Sequence, residues 1–215
     1  MILADWAFIL YSVYVPLIIA IYLLELYVIF HHRKTFNSSF YKIFSVLAVV
    51  NIAACTFATF VFRMPLYPIV NHLYESLMLS VTYYLNCLSQ FLGVLLAFNR
   101  FTSLYFPVLH DYFWRWAIFA GIGVCIIVSV PPVVHLLYFP ASFFDMASIW
   151  FNMAVVTVTC NSLSSLLYGA CLVRLCFFST TRNRSAERNF FIVGFLSMIF
   201  SLPYMAGMAS FPYFY

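Results

Sequence analysis

The chain has 215 residues, 66% hydrophobic and 21% aromatic, with only 10 basic and 6 acidic side chains, so charged residues make up 7%. A soluble domain carries about 25% charged residues, and a mean hydropathy of +1.01 leaves too little polar surface to coat a water-soluble globule. A soluble enzyme and a disordered tail are excluded, and a net charge of +4 scattered over several loops excludes nucleic acid as a partner.

The composition is that of an integral membrane protein. A bilayer core about 30 Å thick takes about 20 apolar residues in helical form, because hydrocarbon offers no partner to a bare backbone amide. Six segments meet that length: residues 6–30, 41–62, 77–98, 116–139, 152–178 and 190–215. Each is about twice the length of a barrel strand and lacks apolar/polar alternation. The expected fold is all-α, one polytopic transmembrane helix bundle over residues 1–215, with no soluble domain and no fixed repeat. The chain opens Met-Ile-Leu-Ala-Asp without a basic stretch, so no cleaved signal peptide is expected.

The first span carries Pro16 and the acid Glu25, which the sequence places near enough to the following joint to snorkel or to pair with Arg33 or Lys42. The joint itself reads His31-His32-Arg33-Lys34-Thr35-Phe36-Asn37. Basic residues in short joints mark the cytoplasmic side. Arg33, Lys34 and Lys42 flank the first joint, Arg100 and Arg115 the third, and Arg174, Arg182, Arg184 and Arg188 the fifth, leaving Arg63 alone among the even joints. The N-terminus is therefore expected outside. The sequons at Asn37 and Asn183 then lie in the cytosol and stay unglycosylated.

In the third span, Tyr83, Asn86, Gln90 and Arg100 fall within about 100° of arc at 100° per residue, the width of one packing stripe. Polar side chains are costly toward lipid, so this stripe should face the bundle interior. The fifth span repeats the pattern with Thr157, Asn161, Ser165 and Tyr168, and the sixth with Ser197, Ser201, Tyr204 and Met208. Each such residue alone is explained by interhelical hydrogen bonding. Together, Tyr83, Asn86, Gln90, Asn161, Ser165 and Tyr204 are the candidate wall of a small-molecule pocket. Asn99 and Arg100, at the end of the third span, are the candidate coupling pair, with snorkelling of Arg100 to head groups as the alternative. The basic fifth joint serves either a docking partner or simple topological retention.

Pro131-Pro132 in span four and Pro203 in span six mark kinks that could act as hinges. Cys55, Cys87, Cys125, Cys160, Cys171 and Cys176 sit in apolar runs at spacings of neither a zinc site nor a disulfide framework, as small buried hydrophobes do. His135 is isolated and makes no metal site. There is no serine nucleophile elbow, no His-Glu-x-x-His and no paired carboxylates, so no enzyme, cofactor or metal is expected. Mid-membrane charges typical of transporters are also missing.

The stretch Phe36-Asn37-Ser38-Ser39-Phe40-Tyr41-Lys42-Ile43-Phe44, the stretch Leu95-Leu96-Ala97-Phe98-Asn99-Arg100-Phe101-Thr102-Ser103-Leu104-Tyr105-Phe106-Pro107 and the entry Trp114-Arg115-Trp116 resemble nematode serpentine chemoreceptors of class gamma. Neighbouring classes such as class V share much of this pattern. The resemblance covers essentially the whole chain. It implies a G-protein-coupled-receptor-like seven-helix architecture in the plasma membrane of sensory neurons or their cilia, detecting small molecules or pheromones. The implied partners are a small-molecule ligand, a heterotrimeric G protein and the lipid bilayer, with receptor dimerisation left open. Asn99-Arg100 would stand where rhodopsin-like receptors carry an acid followed by arginine, and the outer disulfide of other receptor families has no counterpart. The chain ends at Tyr215 after the sixth predicted span, so a truncated receptor or a variant without span seven is expected. A six-span transporter or channel, or a non-signalling receptor relative, are the alternatives.

Overall fold

A computed structural model describes residues 2–34, 36–63, 72–131, 134 and 143–178. They form five helices: α1 (Ile2–His31), α2 (Ser39–Arg63), α3 (His72–Tyr105), α4 (Pro107–Val128) and α5 (Phe143–Phe178). Each contains a stretch long and apolar enough to cross a membrane: Ser12–His31, Ser39–Thr59, Leu77–Tyr105, Pro107–Val128 and Phe151–Leu175. The first five predicted spans thus have their helices. The sixth, with Ser197, Ser201, Pro203, Tyr204 and Met208, lies outside the described residues, as do Asn183, Pro132 and His135.

The third joint differs from its sequence reading. Residues 99–115 are not a loop: α3 continues to Tyr105, α4 starts at Pro107, and Phe106 alone separates them. Proline explains the change. A residue before proline is pushed out of the helical region, and Phe106 sits at φ −131°, ψ 56°. Pro107 then occupies the first turn of α4, where its missing N–H costs nothing. The Phe106 carbonyl accepts from the Leu109 and His110 amides at 3.1 and 2.9 Å, while its own N–H donates to the Thr102 carbonyl at 2.9 Å. Both backbone groups of Phe106 are thus used at the bend.

At its other end α4 ends at Val128; Pro131 and Val134 beyond the turn are again helical, and the rest of the span predicted to residue 139 lies outside the described residues. Pro131 cannot donate and disfavours helix in the residue before it, and Ser129 closes the turn, its N–H and hydroxyl both reaching the Cys125 carbonyl at 3.2 and 2.8 Å. Pro16, by contrast, is carried inside a continuous α1.

α3 is 34 residues long, about 51 Å at 1.5 Å per residue, well beyond the hydrocarbon thickness. It is also the central helix, packed by α2, α4 and α5, with α1 lying against α2. Contacts fix the directions. Ser39 at the start of α2 meets Asn99 late in α3, so these two are antiparallel. The cluster of Tyr83 and Cys87 meets Met153 and Val156 of α5 while Tyr105 meets Ala170, so α3 and α5 are parallel. Two apolar clusters hold α2, α3 and α4 together, one built on Ile43, Leu96, Trp114 and Ile118, the other on Val50, Leu88, Leu92 and Cys125. Outward faces carry large apolar side chains, among them Leu24, Val108, Trp116, Phe119 and Leu166. That inversion suits a lipid solvent.

Midway along, Asn51 of α2 donates from Nδ2 to the Tyr22 hydroxyl of α1 at 2.8 Å and accepts on Oδ1 from the Ser89 hydroxyl of α3 at 2.5 Å. One amide so joins three helices, with both of its ends used. Cys87, Cys125, Cys160 and Cys171 are buried free thiols, and Cys55 is a half-buried one.

α4 passes close to α3 at Gly121. A Cβ on Gly121 would stand 2.9 Å from Leu95 Cδ1, whereas one on Gly123 would meet nothing within 4 Å. We expect Gly121→Val to lower the thermal unfolding midpoint by several degrees, the effect of about 1–3 kcal/mol of overpacking, and Gly123→Val to leave it nearly unchanged. Equal midpoints for the two variants would show that α4 does not approach α3 at Gly121.

Candidate ligand face and coupling site

The α3 stripe turns inward. Tyr83 and Asn86 are buried, and Gln90 and Arg100 are half-buried. Tyr83 and Cys87 form a small cluster packed by Phe91 and by Met153 and Val156 of α5. The Asn86 amide donates from Nδ2 to the Thr82 carbonyl at 2.8 Å, one turn back in its own helix. The α5 stripe is divided. Tyr168 is buried, Thr157 and Asn161 are half-buried, and Ser165 is exposed with its hydroxyl donating to the Asn161 carbonyl at 2.7 Å. The structure therefore brings Tyr83 to α5, puts Ser165 on an outer surface, and leaves Tyr204 outside the described residues.

The candidate coupling pair lies at the opposite end of the same helix. Asn99 is 1% exposed. Its Nδ2 donates to the Ser39 hydroxyl in the first turn of α2 at 2.9 Å and lies 3.3 Å from His110 Nε2 in the first turn of α4. For the second contact to be a hydrogen bond, His110 Nε2 must be the acceptor, which puts the ring proton on Nδ1, 3.2 Å from Asp111 Oδ1. Asn99 Oδ1 is buried without a donor among the described residues, and leaving such an acceptor unmet costs about 1–3 kcal/mol.

Arg100 turns to α2. Its guanidinium lies 3.4 Å from the centre of the Phe40 ring, a cation–π contact of about 0.5–2 kcal/mol depending on desolvation. One turn on, Thr102 donates its hydroxyl to the Phe98 and Asn99 carbonyls at 3.1 and 3.0 Å and accepts from Trp114 Nε1 of α4 at 2.7 Å. At the end of the helix the Tyr105 hydroxyl donates to the Ala170 carbonyl of α5 at 3.0 Å, and Arg174 of α5 covers the Tyr105 ring at 4.6 Å.

The last two turns of α3 thus grip three other helices: α2 through Ser39 and Phe40, α4 through His110 and Trp114, α5 through Ala170 and Arg174. Sequence reasoning picked out Asn99 and Arg100 but assigned no role to Ser39, Phe40, Thr102, His110 or Trp114. The signal for Trp114 was present, since a tryptophan beside Arg115 at a helix entry needs a partner for its N–H. Glu25 is half-buried and makes no ion pair among the described residues. No group of three or more His, Cys, Asp or Glu side chains among the described residues is placed to hold a metal ion.

What this arrangement can do is mechanical. It is an end-of-bundle junction whose members belong to four helices, so a small rotation of α3 is felt by all of them.

The comparisons agree with this picture of a multi-pass receptor. Residues 8–214 match the family described as Srg family chemoreceptor. Over 90 residues the chain is 30% identical to serpentine receptor class gamma-14 of Caenorhabditis elegans, a stretch that amounts to 37% of this chain and 28% of that protein's length. The family match runs through nearly all of the sequence, and on it the chain belongs to the Srg family of serpentine chemoreceptors, non-enzymatic multi-pass membrane proteins.

Proposed function

We propose that the chain is a G-protein-coupled chemosensory receptor of the plasma membrane that binds a small-molecule cue or pheromone in the outer half of the bundle. Its N-terminus faces outward, and the junction at Asn99 and Arg100 faces a cytosolic heterotrimeric G protein. The observation that carries this reading is the grip of residues 99–105 on the ends of α2, α4 and α5. A ligand seated against Tyr83 and Asn86 would act on the same rigid helix about four turns away, and helix α3 is the only element needed to connect them.

A ligand that favours one of two packings can shift the bundle only by its difference in affinity for them. The pocket residues therefore have a distinct signature. The test screens a library of volatile and lipid-derived small molecules against membranes that hold the full-length native protein and a G protein, reading nucleotide exchange. For an active compound, Asn86→Leu is expected to shift the half-maximal concentration about tenfold to the right, the loss of one buried polar contact, with the maximal response kept. A compound that instead drives ion or solute flux through liposomes lacking any G protein would overturn the receptor reading in favour of a transporter or channel.

A further inference from the structure

The turn between α1 and α2 carries chemistry that the receptor reading leaves unused. Arg33, Lys34 and Lys42 are exposed there, and none of them makes an ion pair among the described residues. Beneath them runs an unbroken series of ring contacts. His31 meets His32 at 4.8 Å between centroids, His32 meets Phe36 at 6.3 Å, Phe36 meets Tyr41 at 4.6 Å and Tyr41 meets Phe40 at 5.2 Å. The turn is tightly held, with the His32 amide donating to the Val28 carbonyl and the Phe36 amide to the His32 carbonyl, each at 3.0 Å.

Both flanking helices are candidate membrane spans, ending at His31 and beginning at Ser39. The rings therefore lie at the depth where aromatic side chains settle, at the boundary of hydrocarbon and head groups. Three cations that make no ion pair among the described residues stand just above that boundary, where phosphates are. Of the other described cations toward this end, Arg100 and Arg174 cover aromatic rings and Arg115 is exposed on α4, while Glu25 of α1 makes no ion pair among the described residues.

We propose that the α1–α2 turn binds the phosphate-bearing headgroup of an anionic phospholipid through Arg33, Lys34 and Lys42, with the ring series packed against the lipid's glycerol and upper acyl region. Charge complementarity selects an anionic headgroup. Phe36 and Tyr41, packed ring to ring at 4.6 Å beside the cations, favour a lipid over a soluble phosphate, which has no apolar part to set against them. Topological retention alone would need the cations during insertion and no lipid afterwards. The bound headgroup would stand within one helical turn of Ser39 and Phe40, the two α2 residues that Asn99 and Arg100 hold. Lipid charge would so act on the junction from the membrane side. The proposal does not depend on the receptor reading or on which side of the membrane this end faces.

The test places the full chain in nanodiscs of phosphatidylcholine containing a photo-crosslinkable phosphatidylserine or a phosphatidylcholine of the same acyl composition, and maps crosslinks to residues 31–42 by mass spectrometry. Phosphatidylserine is expected to exceed phosphatidylcholine there about fivefold or more at low salt, since one cation near the surface is worth about that factor. The excess should shrink in 0.5 M salt, where the screening length is a few ångströms. Arg33→Gln with Lys34→Gln and Lys42→Gln should bring the two lipids level, while Arg33→Lys with Lys34→Arg and Lys42→Arg keeps the preference. Equal crosslinking of the two lipids in the native chain, or a preference that survives both salt and the triple glutamine change, overturns the proposal. Displacement of the lipid by soluble inositol trisphosphate at equal concentration would overturn the lipid assignment in favour of a free phosphate ligand.

Discussion

Trp114→Ala is expected to lower the thermal unfolding midpoint of the detergent-solubilised protein by about 10 °C. Trp114 is 2% exposed and sits among Ile43, Leu96 and Ile118, drawn from α2, α3 and α4. Truncating a tryptophan in a packed core costs about 3–5 kcal/mol, and for a chain of this length each kcal/mol moves the midpoint by about 2–4 °C. The indole N–H is a separate part of the effect. It donates to Thr102 at 2.7 Å, and an interhelical hydrogen bond in a membrane protein is worth about 0.6 kcal/mol, at most about 1.7. Trp114→Phe, which keeps a ring and loses the N–H, should therefore fall only a few degrees. The four buried thiols at Cys87, Cys125, Cys160 and Cys171 supply the readout, because a thiol-reactive dye reaches them only as the bundle opens. An alanine variant that unfolds within 2 °C of the native chain would show that Trp114 does not clamp α4 to α3.

The second large effect concerns signalling. Arg100→Ala should reduce agonist-evoked nucleotide exchange on the G protein at least tenfold while moving the unfolding midpoint by only a few degrees. The guanidinium lies 3.4 Å from the centre of the Phe40 ring, and its removal withdraws about 0.5–2 kcal/mol of attraction between α3 and α2. Arg100→Lys keeps the charge but loses the planar group that stacks, and it should fall between the two. Asn99→Leu makes the contrast. It removes the Ser39 and His110 contacts, but it also removes the unmet Oδ1, so stability should change little while α2 and α4 are released and basal exchange rises several-fold. Nucleotide exchange in membranes and dye-monitored unfolding separate these outcomes. Native exchange in Arg100→Ala would end the case for this residue in coupling.

The membrane helices were legible because their signal is run length, and run length needs no knowledge of neighbours. The stripe of Tyr83, Asn86, Gln90 and Arg100 was legible for a similar reason: helical phase names a face, and none of the four is exposed. Phase names a face without saying how much of it is covered, which is how Ser165 shares a stripe with Tyr168 and yet is exposed. The helical stretch over residues 99–115 was hidden by its own composition. Asn99, Arg100, Asp111 and Arg115 read as a polar joint, although at the membrane boundary a helix can carry polar groups without penalty. Pro107 was the available clue, since it both ends one helix and suits the first turn of another. The pairings themselves, Asn99 with Ser39 and Trp114 with Thr102, join residues 60 and 12 positions apart. No local pattern encodes such distances.

The single residue between α3 and α4 also bears on how the protein is made. With Phe106 alone as a tether, neither helix can be threaded and parked in lipid while its partner waits in water. We expect the two to leave the insertion machinery as one hairpin bent at Pro107, since the hydrogen bonds of Phe106 are all made within that hairpin. Lengthening this connection with a short glycine–serine insert would uncouple the two insertion events, so the yield of membrane-integrated chain, more than its heat resistance, is the property that such an insert should change.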